Sequence, residues 1–395
     1  MKARLFISTG EVSGDLQGAR LIQALNRQAQ RQGIELEILA LGGDRMAAAG
    51  ATLLGNTTAV GSIGLVESLP YILPTFQIQR RAGRYLRQHP PDAVVMIDYL
   101  APNVRIGGFV RKYLPQVPTA YYIAPQEWVW SFGPANTRRI VTITDQLLAV
   151  FPEEARYFGR NGANVSYVGH PLVDYHQQIP DRTLARQALG IPEEQVAIAL
   201  IPASRRQELK YLLPIMCQAA QHIQEKLPQA HFWIPVSMES FQQPIQQAIR
   251  RYGLRATPVL QQSETVIAAS DLAVTKSGTV NLEIALMNVP QVVLYRVNPL
   301  TAWIAEHILK FSVPFISPVN LMLMRSIVPE FLQYQATPAA VTQTAMELLL
   351  NPDRRRQTLE DYQEMRQVMG EPGVCDRAAQ IILEMLMQSR TRALS

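Results

Sequence analysis

Cysteine is scarce. The 395 residues hold two, Cys217 and Cys375, far apart and without Cys-x-x-Cys spacing, so no disulfide framework is expected. The six histidines form no His-x-His or His-x-x-x-His pair, and a zinc centre is not expected either. Long apolar runs are missing too. No stretch approaches the ~18 residues needed to cross a bilayer. Near the start, Leu5-Phe6-Ile7 gives way at once to Ser8, Thr9 and Glu11, too short for a secretion-signal core. The expected compartment is the cytoplasm. Charge is close to balance, +5 overall with 17% charged residues, and gives no reason to expect nucleic acid as a partner. What remains, 48% hydrophobic residues in a chain of this length, suits two packed domains, each with its own core.

The apolar residues are organised. Short β-rich runs at 5–8, 37–41, 93–97, 119–123 and 146–150 alternate with helical patterns, and a second series follows at 196–201, 231–234, 271–275 and 291–295. Such alternation predicts an α/β chain of parallel sheets. A polar, proline-bounded stretch near 171–182 separates the series. We therefore expect two Rossmann-like domains joined near residue 175, facing a central cleft. A final helical pattern at 376–388 carries no signal for which domain receives it.

In sheets of this kind ligands collect where strands end and helices begin, and four such loops are rich in polar groups. "STGEVSGDLQGAR", 8–20, spaces Gly10, Gly14 and Gly18 by four. This is not the Gly-x-Gly-x-x-Gly of dinucleotide sites, and Glu11 and Asp15 would repel a diphosphate. A hydroxyl-rich ligand such as a sugar fits better, while Ser13 or Asp15 acting only as a helix cap is the plainer alternative. "VVMIDYLAPNVR", 94–105, ends an apolar strand on Asp98, where a partly dehydrated carboxylate suits a general base and equally suits a turn. "IPASRRQELK", 201–210, puts Ser204, two arginines and backbone N–H groups together, which suits a phosphate and also suits a solvated basic turn. "VTKSGTVNLEIAL", 274–286, turns from strand to helix at Ser277-Gly278-Thr279 and brings Glu283 round one turn later, an arrangement for a diphosphate and a ribose, with an ordinary helix cap and a surface Glu283 as the plainer alternative. Trp128, Trp130 and Phe132 alternate after a strand and are expected to pack, with Pro125 and Gln126 nearer the ligand. Arg80, Arg81, Arg84 and Arg87 follow the apolar stretch 62–78, read either as a core helix with a basic face or as an element that dips into a membrane interface.

Taken in order, these segments resemble the lipid-A-disaccharide synthase family, inverting glycosyltransferases of GT-B architecture. "STGEVSGDLQGA", "GGDRMAAAG", "VGSIGLVE", "IDYLAPN", "YYIAPQEWVW" and "VGHPLVD" carry the likeness in the first half, and "IPASRRQE", "SDLAVTKSGTVNLEIAL", "PQVVLYRVNPLTAWI" and "SPVNLMLMRSIVPEFLQ" in the second. The resemblance implies transfer of diacylglucosamine from UDP-diacylglucosamine to diacylglucosamine 1-phosphate, with Asp98 as base and no metal or other cofactor. It assigns Glu11, Ser13, Gly14, Asp15 and Gln126 to the sugar and acceptor, and Ser204, Arg205, Ser277, Gly278, Thr279, Glu283, Asn320 and Gln333 to UDP. Residues 1–174 would form the acceptor domain, with 365–395 returning to it, and 175–364 the UDP-sugar domain. Acylated substrates also imply peripheral attachment to the inner membrane, through Ile63, Leu65, Val66, Leu69, Ile72, Leu73, Arg80 and Arg81. Two positions depart from the family pattern: Ala101 stands where a second aspartate is usual, and Ala203 where glycine is usual. The same loops would also serve a transferase or epimerase of another UDP-sugar, or a binding relative without chemistry; oligomeric state is left open.

Overall fold

The computed structural model describes residues 1–10, 12–57, 72–131, 133–176, 180–303, 306–307 and 313–394. They form two compact units, Met1–Asp174 with Met369–Ser395, and Tyr175–Val368.

The described strands of the first unit are β1 (Lys2–Ser8), β2 (Glu35–Gly42), β3 (Thr52–Asn56), β4 (Ala93–Ile97), β5 (Thr119–Tyr122), β6 (Gln146–Ala149) and β7 (Val165–Tyr167). All neighbours pair in parallel, in the order β3-β2-β1-β4-β5-β6-β7. A strand covered by helices on both faces cannot alternate apolar with polar, and β4, AVVMI, is accordingly buried from end to end. The chain's last helix, Val374–Leu394, packs on helix Val12–Arg31 and on β4. Its start is fixed by Asp174, whose carboxylate accepts from the backbone N–H groups of Gly373, Val374 and Cys375 at 2.6, 3.0 and 2.9 Å. An anion there complements the positive end of the helix.

The second unit's described strands are β8 (Val196–Ile201), β9 (Ala230–Val236), β10 (Ala256–Leu260), β11 (Leu272–Lys276), β12 (Gln291–Tyr295) and β13 (Glu330–Leu332), again parallel, ordered β10-β9-β8-β11-β12-β13. Along β8, Ile198 and Leu200 enter the core under helices Arg206–Lys226 and Pro338–Leu350, while Ala197, Ala199 and Ile201 enter the opposite core. This is the Rossmann order, and the first sheet is the same order with a seventh strand added.

Each sheet therefore has one place where the strand order reverses. In the first it lies between β1 and β4, where Ser8 is level with Met96; in the second it lies between β8 and β11, where Ile201 is level with Thr275. Loops leaving neighbouring strands there run in opposite directions and open a crevice at the carboxyl ends. Four of the polar loops picked out from the sequence emerge at these two points.

Candidate functional site

In the first unit, the reversal point brings Gly10 against Tyr99. A Cβ at position 10 would overlap the Tyr99 ring, so glycine is required for the loops after β1 and β4 to touch. The other glycines of this loop serve packing as well: a Cβ at Gly14 would strike the Thr9 hydroxyl, and one at Gly18 would press the Met46 sulfur at 2.7 Å. None of the three has a left-handed backbone. Their spacing by four is thus a record of close approach. A small pocket remains at the strand ends, lined by Thr9, Gly10, Thr57, Gln79, Tyr99 and Pro102.

Asp98 follows β4 directly and is half-buried. Both Asp98 and Tyr99 have left-handed backbones, φ +49° and +46°, a conformation that costs non-glycine residues about 1–3 kcal/mol each and persists only where the surroundings impose it. They do so here. The Asp98 N–H donates to the Ile123 carbonyl at 3.0 Å. The Asp98 carbonyl accepts from Tyr121 Oη at 2.8 Å and from Asn103 Nδ2 at 2.7 Å, and Asn103 Nδ2 also donates to the Ile97 carbonyl at 2.9 Å. The Asp98 carboxylate takes the Tyr99 N–H at 2.8 Å. Tyr121 is fully buried; burial, then the neighbouring Asp98 charge, pushes its phenol well above the usual tyrosine range, so it stays a donor.

Asp15 is turned into the protein. Its carboxylate accepts from the N–H groups of Gly43, Arg45 and Met46 at 2.7, 3.2 and 3.1 Å, fixing the loop after β2. Ser13 is exposed on the first turn of helix Val12–Arg31, and Gln126 is exposed with its carbonyl accepting from the N–H groups of Val129 and Trp130. Trp128 packs at 5.2 Å on Phe151. Glu11, Phe132, Ile63, Leu65, Val66 and Leu69 lie outside the described residues, as does the side chain of Ile72. Helix Ile72–Gln88 shows exposed Leu73 and Phe76 near its start and exposed Arg80, Arg81, Arg84 and Arg87 beyond. No helix among the described residues is long and apolar enough to cross a membrane.

In the second unit the loop after β8 carries exposed Ser204 and half-buried Arg205. Its free amides are fewer than the sequence suggests, because Glu208 accepts from Ser204 N, Ser204 Oγ and Arg205 N at 2.7, 3.1 and 3.2 Å. Ala203 has no left-handed backbone, so its replacement of a family glycine brings no strain. Beside it, the turn after β11 is strapped down by Asn281, a fully buried residue: Nδ2 donates to the Lys276 carbonyl at 3.0 Å and Oδ1 accepts from Gly278 N at 2.8 Å. Ser277 Oγ donates to the Ile316 carbonyl at 2.9 Å. Thr279 is exposed, and Glu283 half-buried one turn later. Asn320 is fully committed: its carboxamide accepts from Ile327 N and Val328 N and donates to the Val328 carbonyl and Glu330 Oε1. Gln333, just past β13, has a left-handed backbone at φ +48°. Sequence reasoning missed Asn103, Tyr121, Glu208, Asn281 and Lys276, which act through backbone atoms or through folding back; only Lys276, a cation at a strand end, left a trace in the pattern. Among the described residues no three His, Cys, Asp or Glu side chains gather as metal ligands.

Comparison with known proteins fits this geometry. The lipid-A-disaccharide synthetase family profile matches residues 5–385. A lipid-A-disaccharide synthase of Gloeothece citriformis is 59% identical over 96% of this chain and 99% of its own, and one from Synechocystis sp. is 54% identical over 99% and 100%. Among solved structures, the glycotransferase of kitacinnamycin aligns with TM-score 0.63 over 98% of this chain and 100% of its own, at 15% identity. The S. aureus MnaA–UDP co-structure aligns with TM-score 0.64 over 96% and 95%, at 14% identity. The fold is thus the GT-B one of two Rossmann-like units, and a sequence match running nearly end to end places the chain in the lipid-A-disaccharide synthetase family.

Proposed function

We propose that the protein is a glycosyltransferase that joins 2,3-diacylglucosamine, carried on UDP, to 2,3-diacylglucosamine 1-phosphate. The acceptor 6-hydroxyl attacks the anomeric carbon from the face opposite the nucleotide. The bond from that carbon to the phosphate oxygen breaks, and UDP leaves with the electron pair. Inversion gives a β(1→6) disaccharide 1-phosphate. Asp98 takes the hydroxyl proton. The observation that carries this reading is the position of the four loops: the first unit's reversal point carries Gly10 and Asp98, and the second's carries Ser204-Arg205 and Ser277-Gly278-Thr279.

In this reading the first unit serves the acceptor and the second the nucleotide. Asp98 suits the base because its backbone is held from three sides, which aims the carboxylate without spending reaction energy on orientation. Ser13, Gly14 and Gln126, with Glu11, supply the sugar and acceptor side. Arg205 and Thr279 serve the diphosphate, Glu283 accepts from ribose hydroxyls, and Gln333 contributes its carboxamide. Asp15, Ser277, Gly278 and Asn320 support the site by shaping loops, since their polar groups are spent on the protein itself. Acylated substrates require a membrane surface. Exposed Leu73 and Phe76, followed by Arg80 and Arg81, support peripheral attachment at the cytoplasmic face of the inner membrane. The test is to incubate purified protein with UDP-2,3-diacylglucosamine and the 1-phosphate acceptor and to weigh the lipid product. A tetra-acylated disaccharide phosphate is expected; release of UDP without any acceptor, or turnover of non-acylated UDP-sugars only, contradicts the reading.

A further inference from the structure

β11 ends on Lys276, whose side chain folds back over the turn that follows. A Cβ at Gly278 would lie 2.6 Å from Lys276 Nζ, and Gly278 has φ +153°, so only glycine leaves the ammonium room there. Lys276 is half-buried, and it feels the charges of Glu208 and Glu283 without forming an ion pair to either among the described residues. Burial pulls its pKa down; Glu208 opposes, Arg205 adds to the fall, and Glu283 opposes. Tyr295, at the end of β12, faces the same Glu208 and Arg205, and burial raises its phenol, so it stays neutral. The ammonium thus lies over the Ser277-Gly278-Thr279 turn at the reversal point of the nucleotide-side sheet, within electrostatic reach of Arg205.

We propose that Lys276 binds the diphosphate of the sugar-nucleotide donor, pairing with its outer phosphate and taking up the charge that develops there as UDP leaves. The inference rests on the second unit being the nucleotide side. A compact ammonium suits a phosphate that gains charge during the reaction, and a cation already in place there stabilises that charge without reorganising as it develops. Lys276 and Arg205 together supply two positive charges, and Gly278 is the residue that lets the first of them lie across the turn.

The experiment is calorimetric binding of UDP, UMP and uridine to the full chain and to Lys276→Met and Lys276→Gln. The expected result is a loss of about tenfold or more in UDP affinity, the size of one charge-assisted hydrogen bond, a smaller loss for UMP, and unchanged uridine binding. Thermal unfolding of both nucleotide-free variants should stay close to wild type, since a half-buried side chain with no ion pair among the described residues is replaced. Equal losses for UDP and uridine would mean Lys276 only shapes the pocket and would overturn the proposal, as would unchanged UDP affinity. Wild-type protein that fails to bind UDP at all would remove the nucleotide reading of the second unit, and Lys276 with it.

Discussion

Tyr121 donates its phenolic hydrogen to the carbonyl oxygen of Asp98 at 2.8 Å, and Asn103 holds the same oxygen from another side at 2.7 Å. The two bonds hold a left-handed backbone that is uncommon outside glycine, though less so for aspartate than for most residues. Tyr121→Phe leaves that carbonyl one donor and should cost about 1 kcal/mol of stability. It should lower kcat further than that loss accounts for, with UDP affinity unchanged. Urea unfolding beside steady-state kinetics checks it; a kcat equal to wild type would show that Tyr121 does not aim the base.

Gly10→Ala puts a methyl group into the Tyr99 ring and forces the loops after β1 and β4 apart. Overpacking of this kind costs about 1–3 kcal/mol, and the displacement reaches Asp98 through its neighbour. Gly10→Ala should therefore lose most of its turnover, while Gly108→Ala, where a Cβ meets nothing within 4 Å, keeps it. Equal activities of the two variants would contradict the packing role assigned to Gly10.

Glu154 and His170 set opposite pH dependences. Burial raises Glu154 from 4.5 to about 7, against the N–H groups of Val150, Phe151 and Ala124 that favour its charged form. A raised carboxyl contributes stability below 4.5 that is lost as the pH climbs through about 7. Burial lowers His170 from 6.5 to about 3, with Arg20 adding to the fall. A histidine held neutral contributes stability above 6.5 that is lost as the pH falls toward 3. Between about pH 5 and 6.5 the two slopes, each near 1.4 kcal/mol per pH unit, offset each other. Relative to wild type, Glu154→Gln should gain stability as the pH rises through this window and His170→Asn should lose it. Urea midpoints at four pH values decide the matter; difference curves of the same sign would contradict it.

The basic helix gives a third kind of test. Each arginine near an anionic surface contributes about 1 kcal/mol, so Arg80→Gln with Arg81→Gln should weaken binding to vesicles containing phosphatidylglycerol by about 30-fold. Wild-type binding should also fall with added salt. Unchanged sedimentation of the double variant with vesicles would rule out this face as the membrane contact.

The sequence made the centre of each sheet readable and the margins unreadable. β1, β4, β8 and β11 are near-continuous apolar runs because both their faces are covered, and such runs stand out. β3, β7, β10 and β13 escaped because TLLGN, VSY, ATPVL and EFL are only partly buried and lie at the sheet edges, where no strong apolar pattern is required. The candidate loops were visible because polar groups cluster at strand ends. What each group does was not, since a carboxylate that binds sugar and one that ties down a neighbouring loop are spelled alike. Asp15 and Asn320 look like ligand-facing residues in the sequence, yet every polar atom of their side chains is engaged by the backbone or by Glu330.

The account turns on Asp98 as the group that deprotonates the acceptor. Its most direct test is single-turnover transfer by Asp98→Asn, which keeps the shape and the Tyr99 contact but cannot take a proton, measured beside UDP affinity. A rate lowered by about 100-fold or more, the usual contribution of a positioned base, with UDP bound as tightly as by wild type, is the predicted result. Transfer within a few-fold of wild type would contradict it and require another base.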